Sequence, residues 1–531
     1  MEMERKAYAA LKEWKTVSNG KTAILIDGAR RVGKSYLAEQ FGKREYKSYL
    51  IIDFSDDSVL TGETIGDMFR NEMGDLDYFF SKLSVIMKTP LYKRESLIIF
   101  DEIQCFPLAR QRIKKLVADG RFDYIETGSL ISIKTNRNNI LIPSEEITLK
   151  LHPMDFEEFL WAMGDRTSIP FVRRCFEDRT PVGDRIHRDM MMRLREYMLV
   201  GGMPGAVSEY VETRDFAKTD FIKRSILNLY LNNVPTLAKG CEKKVESIFL
   251  QIPSILSAKS KKFTMIDVDP QYRQDSYSDA LMWLSDGRII NICTSVTDPT
   301  QGMALNANHT FIKCYMEDTG LLVTHALFDR EFSDNDLYAA ILKDRLNINE
   351  GMLMENLVSQ MLVSNRHKLF YYYKPKRRIE DGENVSWENA LEIDFLISAN
   401  GKTCPIEVKS SKHISHSSLD RFMRKYGKKL GESFIVYPRD LKQKDGITYI
   451  PIYMAMFLRS RRIRLHAAHG QVYVDDFGIG PSENGVDGHD GLNASHGGIH
   501  GAEPATSGAL YGCILRTGHV HEHPPSVSGD R

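Results

Sequence analysis

Residues 28–35 carry the pattern of a phosphate-binding loop, and no other feature constrains the fold of this chain as strongly. The segment reads Gly-Ala-Arg-Arg-Val-Gly-Lys-Ser. It follows an apolar run at residues 23–26 and precedes a helix-forming stretch at residues 35–40. Strand, glycine-containing loop and helix in this order are the context that the motif requires. The pattern therefore predicts an α/β domain with a parallel sheet near the N-terminus.

The residue types of this loop suit a bound polyphosphate. Gly28 and Gly33 allow the backbone to curl closely around phosphate, with the loop N–H groups pointing inward. Lys34 is expected to reach the β- and γ-phosphates, and the Ser35 hydroxyl is expected to ligate Mg²⁺ at the start of a helix whose dipole favours anions. The predicted nucleotide-binding residues are Gly28, Ala29, Arg30, Arg31, Val32, Gly33, Lys34, Ser35 and Tyr36.

A second nucleotide signal follows at residues 97–102, which read Leu-Ile-Ile-Phe-Asp-Glu. An apolar run that ends in acids predicts a buried parallel strand with carboxylates at its C-terminal edge, where ligands bind in open α/β sheets. Asp101 would support Mg²⁺, and Glu102 would act as general base on the attacking water. A further strand at residues 124–126 leads to Thr127 and Ser129, which either contact the γ-phosphate or water, or form a plain turn.

These motifs resemble the AAA+ ATPases, in which the loop is Walker A and Asp101-Glu102 closes Walker B. The order GARRVGKS, FDEIQ, TGSL, LHPMDFEEFL and YMLVGGMPGAV resembles, over residues 1 to 460, archaeal and bacterial AAA-type ATPases with a C-terminal domain of unknown function related to PD-(D/E)XK nucleases. The resemblance implies Mg²⁺-dependent ATP hydrolysis, with Thr127 or Ser129 as sensor 1. Many relatives carry a Gly-Arg pair before residues 151–160. This chain has none there, and Arg137 is the nearest arginine.

The middle of the chain predicts helices followed by a short strand pair. Apolar residues recur at helical spacing over residues 245–256, residues 277–284 predict another helix, and residues 289–293 read as a strand. This order predicts a winged-helix-like module that binds DNA, or alternatively a packing module between domains. Lys259, Lys261 and Lys262 are the nearby candidates for phosphate contacts. Residues 201–205 contain too many helix breakers to be helical.

A second group of acids predicts a nuclease-like site. Asp394 lies on a predicted strand, Glu407 and Lys409 share a face of the next strand, and Asn400-Gly401 predicts the hairpin turn between them. With Glu355 on an upstream helix, this pattern resembles the PD-(D/E)XK nuclease core, and its oxygen ligands would favour a second Mg²⁺ or Mn²⁺. An inactive scaffold that retains these residues is the alternative. Basic runs at residues 374–378 and 421–429 either follow DNA or RNA or form a solvated surface.

Composition adds limits to these predictions. The chain has 71 basic and 71 acidic residues, so binding to nucleic acid would depend on local patches. There is no apolar run long enough to span a bilayer, no signal peptide and no C-x-x-C pair among seven cysteines, which favours a cytoplasmic protein without membrane contact. Formation of a homo-oligomer stays open.

The predicted domains follow from these patterns. They are a P-loop ATPase domain at 1–165, a helical connector at 166–235, a winged-helix-like domain at 236–325, a nuclease-like domain at 326–460 and a disordered tail at 461–531. Two functions fit this organisation. In the first, ATP hydrolysis drives action of the nuclease-like domain on nucleic acid. In the second, the chain is an ATP-dependent switch or interaction scaffold whose nuclease-like domain does not cut.

Overall fold

The computed structural model describes residues 3–60, 64–128, 145–238, 240–258, 277–300, 302–329, 334–342, 349–381, 384–388, 390–411, 415–459, 462–468 and 471–477. Ser129, Arg137 and the three lysines at 259, 261 and 262 lie outside this set. The residues after 477, in the tail predicted to be disordered, also lie outside this set. The first part of that tail, at residues 462–468 and 471–477, forms a β-hairpin instead.

The N-terminal part of the chain forms a five-stranded sheet in which all neighbouring strands are parallel. Its spatial order is β2-β3-β4-β1-β5. Every residue of the two strands β1 and β4 is buried, as expected for central strands that are covered on both faces. The strands predicted at residues 23–26, 97–102 and 124–126 are thereby confirmed. The five strands are β1 (Ala23–Gly28), β2 (Ser48–Asp53), β3 (Ser96–Asp101), β4 (Asp123–Gly128) and β5 (Glu146–Leu151).

Helices cover both faces of this sheet. On one face, Trp14 and Phe41 pack against β1, and on the other face Phe69 and Phe80 belong to a separate core with β2, β3 and β4. Because the strands are parallel, the carboxyl ends of β1, β3 and β4 meet at one edge of the sheet. The helices are α1 (Lys6–Ser18), α2 (Lys34–Glu45), α3 (Asp57–Leu60), α4 (Ile65–Asp67), α5 (Leu76–Ile86) and α6 (Pro107–Asp119), with a π-helical turn at Met68–Glu72.

The middle of the chain is helical. The sequence analysis expected a non-helical loop at residues 201–205, but a helix already begins at Pro204, because the first helical position needs no backbone N–H donor. The helices are α7 (Phe156–Ala162), α8 (Ser168–Glu177), α9 (Asp184–Val200), α10 (Pro204–Thr213), α11 (Phe216–Leu237), α12 (Glu242–Ser257), α13 (Ser278–Asp286), α14 (Thr319–Ala326) and α15 (Asn335–Leu342).

The C-terminal part is built on an eight-stranded mixed sheet of order β14-β15-β13-β12-β11-β8-β6-β7. Its strands are β6 (Ile290–Val296), β7 (Ala307–Met316), β8 (Phe370–Lys374), β11 (Leu391–Ala399), β12 (Lys402–Val408), β13 (Ser433–Tyr437), β14 (Lys442–Lys444) and β15 (Ile447–Pro451). Two hairpins, β9–β10 (Arg377–Asp381, Asn384–Glu388) and β16–β17 (Arg462–Ala468, Gln471–Phe477), form separate two-stranded sheets. The remaining helices are α16 (Glu350–Ser364) and α17 (Ser417–Tyr426).

The hairpin of β6 and β7 corrects the winged-helix prediction. The sequence analysis gave two interpretations of this region, a winged-helix-like module and a packing module between domains. The structure instead pairs β6 with β8 in parallel, with Thr294 opposite Phe370, so that the hairpin is the edge of the mixed sheet. The cause is non-local, because the partner strand is supplied by a much later part of the chain. One continuous core of buried residues runs from Met154 to Leu458 and joins the helices to this sheet.

Among the described residues, no helix is both long and apolar enough to cross a bilayer.

A buried histidine in α14 should make stability depend on pH. His325 is 5% exposed, its Nδ1 has no hydrogen-bond partner, and its ring stacks on Phe249 with centroids 4.5 Å apart. Burial lowers the pKa of His325 to about 4. Because the unfolded chain binds a proton near pH 6.5 and the folded chain does not, this stabilisation is present above pH 6.5 and is lost as the pH falls toward 4.

We expect acidification from pH 7 to pH 4 to cost up to about 3 kcal/mol through His325. The variant His325→Phe keeps an aromatic ring and should lack this component, which denaturant unfolding at the two pH values would measure. His309→Gln, at an exposed position of β7, is the control for loss of a histidine. Parallel acid loss in wild type and His325→Phe would contradict the assignment.

Candidate nucleotide site and C-terminal acid cluster

The loop between β1 and α2 has the backbone that phosphate binding requires. A Cβ at Gly28 would lie 2.4 Å from the carbonyl oxygen of Leu151, so no side chain fits there. Gly33 adopts φ 92°, a left-handed conformation that glycine tolerates without strain. The helix then begins at Lys34. The local structure agrees with the predicted strand, loop and helix.

Lys34 is held inside this loop. Its Nζ donates to the carbonyl oxygens of Gly28 and Ala29 at 3.1 and 3.0 Å, and the residue is 6% exposed. Burial lowers the pKa of Lys34, although the nearby carboxylates of Glu102, Asp27 and Asp101 oppose this effect. The two hydrogen-bond acceptors of the ammonium group are thus neutral carbonyl oxygens, and a phosphate group would offer it a stronger, charge-assisted partner.

The predicted magnesium ligands lie in direct contact. The Ser35 hydroxyl donates to Asp101 Oδ1 at 2.7 Å, and the Thr127 hydroxyl donates to the same oxygen. The residues come from α2 and from the carboxyl ends of β3 and β4, which the parallel sheet brings to one edge. A hydroxyl and a carboxylate beside a phosphate loop are the donors that Mg²⁺ uses in nucleotide sites. The residues present therefore fit Mg²⁺ bound with a nucleotide.

Glu102 lies in surroundings different from those of Asp101. It follows β3 with φ 49°, a left-handed conformation that is uncommon for residues other than glycine. Its backbone N–H donates to the Thr127 hydroxyl at 3.3 Å, and its carboxylate accepts a hydrogen bond from the Gln104 side-chain amide. The turn after β3 thus gives the two neighbouring acids different contacts.

Contacts with α11 and with Arg288 tie the phosphate loop and the residue before it to later parts of the chain, and the sequence carries no signal for them. The Arg30 guanidinium donates to Asn233 Oδ1 at 2.9 Å, and the hydroxyl of Tyr230 donates to the Arg30 carbonyl at 3.3 Å. Both partners lie on α11. Asp27, immediately before Gly28, is 1% exposed and forms an ion pair with Arg288 at 3.0 Å. Arg288 lies between α13 and β6, so this ion pair links the domain of the five-stranded sheet to the mixed sheet.

The C-terminal acids also come together. Glu355 lies on α16, Asp394 on β11, and Glu407 on β12, whose hairpin turn at Asn400 and Gly401 has positive φ at both residues as predicted. Asp394 Oδ2 accepts a hydrogen bond from the Val408 N–H at 2.8 Å.

Lys409 lies beside the acids as well. Its Nζ is 2.6 Å from Glu407 Oε1. Burial, together with the Glu407 and Glu355 carboxylates, raises the pKa of Asp394 to about 8. The predicted residues therefore form one acid cluster.

A lysine that the sequence analysis did not connect with this cluster lies in the middle of it. Lys313, on β7, is 1% exposed, and its Nζ lies 2.9 Å from Glu392, 3.7 Å from Asp394 and 3.9 Å from Glu355. Burial lowers the pKa of Lys313, but Tyr315 and the surrounding carboxylates more than offset this and raise it well above its ordinary value. The side chain is therefore a cation among the acids.

The second metal ion expected at this cluster does not fit the arrangement. Lys313 already supplies positive charge to the carboxylates that were expected to be ligands. In the described part of the chain, no group of three or more His, Cys, Asp or Glu side chains is arranged to hold a metal ion. With the Lys313 ammonium group among these carboxylates, the described residues do not fit the predicted Mg²⁺ or Mn²⁺.

The chain shows weak similarity to several solved structures. Aeropyrum pernix ORC1 in complex with DNA is 11% identical, with 64% of this chain and 95% of that chain covered and a TM-score of 0.26. A STAND ATPase from Pyrococcus horikoshii is 14% identical, with 68% of this chain and 48% of that chain covered and a TM-score of 0.24. C. elegans PCH-2 is 16% identical, with 32% of this chain and 44% of that chain covered and a TM-score of 0.17. The match therefore spans less than half of that protein.

Similarity at this level does not establish a shared function, and no curated protein matches the chain significantly. The family comparisons are more informative. Residues 20–160 match the AAA domain family. Residues 191–331 and 350–455 match two domains of unknown function, DUF8612 and DUF4143. Residues 20–160 are therefore similar to the AAA domain family, and two regions similar to domains of unknown function follow them.

Proposed function

We propose that this protein binds and hydrolyses ATP with Mg²⁺ and uses the nucleotide state to switch the arrangement of its C-terminal part. The observation that carries the proposal is the contact of Ser35 and Thr127 with one oxygen of Asp101, next to the Lys34 loop. Three separate segments meet at the sheet edge where nucleotides bind in this fold class.

In this proposal each residue has a distinct task. Lys34 and the N–H groups of the loop bind the phosphates. Ser35 and Asp101 hold Mg²⁺, which when bound neutralises charge on the phosphate oxygens. Glu102 accepts the proton of the attacking water, Gln104 holds the Glu102 carboxylate, and Thr127 keeps Asp101 in position.

The contacts of the loop suggest how the nucleotide state reaches the rest of the chain. Arg30 contacts α11 through Asn233, and Asp27 contacts Arg288 directly before β6. Closure of the loop on phosphate would act on both contacts, because they begin within two residues of Gly28. The proposed switch therefore runs from the loop to the edge of the mixed sheet.

Of the two functions that the sequence left open, the position of Lys313 favours the switch or scaffold over a metal-dependent nuclease. Binding of DNA or RNA is a separate proposal. It rests on exposed basic side chains at the end of α17 and in the following turn, namely Arg424, Lys425, Lys428 and Lys429. A nucleic acid on this surface should bind with strong salt dependence.

Removal of the loop lysine tests the nucleotide site. Lys34→Ala should weaken Mg²⁺-ATP binding roughly 10- to 100-fold, since hydrogen bonds to charged groups contribute about 1.5–3 kcal/mol. Isothermal titration calorimetry with a slowly hydrolysed ATP analogue would measure this loss. Lys43→Ala, an exposed lysine on the same helix that pairs with Glu39, is the matched control. Equal affinity in both variants would contradict the proposal.

A further inference from the structure

The acid cluster of the mixed sheet contains its own buried cation. Lys313 lies within 4 Å of three carboxylates, and its ammonium group is 5.0 Å from the centre of the Tyr371 ring. The neighbouring Tyr315 hydroxyl donates to Glu355 at 3.2 Å. Both Lys313 and Tyr315 reach the cluster from β7.

We propose that Lys313 takes the place of a divalent metal beside Glu355 and Asp394, so that this domain acts without metal-dependent hydrolysis. The proposal concerns a site apart from the ATP site and goes beyond the proposed ATPase function. The nuclease-like pattern implies a divalent metal at these acids, but the structure places the Lys313 ammonium group beside them. The proposal follows from this difference.

The physical argument starts from burial. Carboxylates removed from water need a compensating charge, and the Lys313 ammonium group supplies it at 3.7 Å from Asp394 and 3.9 Å from Glu355. A magnesium ion would need direct oxygen ligands at 2.0–2.1 Å with near-octahedral geometry. It would have to share these oxygens with a lysine that cannot turn to solvent, because Lys313 is 1% exposed. Repulsion between the two cations is strong in such an environment.

Lys409 does not take this role. Its Nζ contacts Glu407 at 2.6 Å, and it is partly exposed. A nuclease site would use such a lysine beside the metal, to stabilise charge on the reacting phosphate. Lys313 instead contacts acids from α16 and β11, which would be the metal ligands themselves.

The test is a titration of Mn²⁺ into the full-length, nucleotide-free protein, followed by electron paramagnetic resonance of the unbound ion. Wild type should show no saturable binding that depends on Asp394. Lys313→Met should gain about one Mn²⁺ per chain, with a dissociation constant about ten-fold or more below any residual binding of wild type. Adding Glu355→Gln should remove this gain. Lys442→Met, at an exposed position of β14, is the control for loss of a lysine.

Loss of a buried cation can prevent folding, so a second variant keeps the test usable. Lys313→Met with Glu392→Gln removes the closest ion pair as a unit and retains Glu355, Asp394 and Glu407. It should gain the same Mn²⁺ site. The proposal would be overturned if the wild-type protein bound Mn²⁺ saturably and Asp394→Ala abolished that binding. A folded single or double variant that gains no site would overturn it as well.

The failure of this proposal is distinguishable from failure of the ATPase proposal. Metal binding is measured without nucleotide and with Lys34 unchanged, whereas the ATPase proposal depends on nucleotide affinity and turnover. Cutting of labelled DNA or RNA by wild type with Mn²⁺, lost in Asp394→Ala, would contradict the internal-cation proposal and leave the ATP site untouched.

Discussion

Replacing Glu102 by Gln should leave Mg²⁺-ATP binding close to that of wild type and lower turnover by about 10²–10⁴-fold, the usual contribution of a general base. The amide keeps the size of the side chain and can still interact with Gln104, whose amide contacts the Glu102 carboxylate. It cannot accept a proton from water. Single-turnover hydrolysis and separate binding measurements would resolve the two effects.

The chain offers a matched control at the other end of the same strand. Glu95 directly precedes β3, and Glu102 directly follows it. Glu95 is exposed and lies 3.7 Å from Lys47. Glu95→Gln should therefore retain turnover. Loss of binding together with turnover in Glu102→Gln would indicate a structural role, and unchanged turnover would remove Glu102 from the proposed chemistry.

Replacing Gly202 by Ala should destabilise the protein by about 3 kcal/mol or more. A Cβ at this position would lie 2.1 Å from the Met154 carbonyl oxygen and 2.8 Å from the Met154 nitrogen. Both are backbone atoms and cannot rotate away. The same residue donates its N–H to Asp318 at 2.6 Å and accepts from the Met154 N–H at 2.7 Å. The clash would therefore separate three segments that meet at this point.

Gly205→Ala is the control for this substitution. Gly205 is the second residue of α10, and a Cβ there would meet its nearest atom, Ile222 Cγ2, at an ordinary distance of 3.6 Å. Alanine favours a helix over glycine by about 1 kcal/mol, so this variant should be neutral or slightly more stable. Denaturant unfolding of both variants measures the difference. A Gly202→Ala protein as stable as wild type would show that the junction can relax.

Much of the nucleotide site could be predicted from the sequence. The loop at residues 28–35 is contiguous, and its conformation depends on glycines and on the neighbouring strand and helix. Asp101 and Thr127 could be assigned because each follows an apolar run that predicts a buried parallel strand. Such strands end at a common edge, so their terminal side chains come together without further information. Ser129 was assigned by the same argument and stays a prediction.

The contacts that these candidate sites make with distant parts of the chain could not be predicted in this way. Arg288 and Asn233 have no local pattern that distinguishes them from surface residues, yet they contact the phosphate loop and the residue before it. Lys313 lies within residues 236–325, for which the sequence analysis predicted a winged-helix-like domain. Its position in the acid cluster depends on the pairing of β6 with β8, which joins Thr294 to Phe370.

The sequence by itself determined the phosphate loop, the strands that deliver Asp101 and Thr127, and the turn at Asn400-Gly401, because backbone preferences and apolar patterning act between neighbouring residues. Only the tertiary structure decided that β6 and β7 join the C-terminal sheet and that the Lys313 ammonium lies among the acids. Pairing between distant strands depends on which edges and apolar faces remain open after the local elements form. That information is spread over the whole chain.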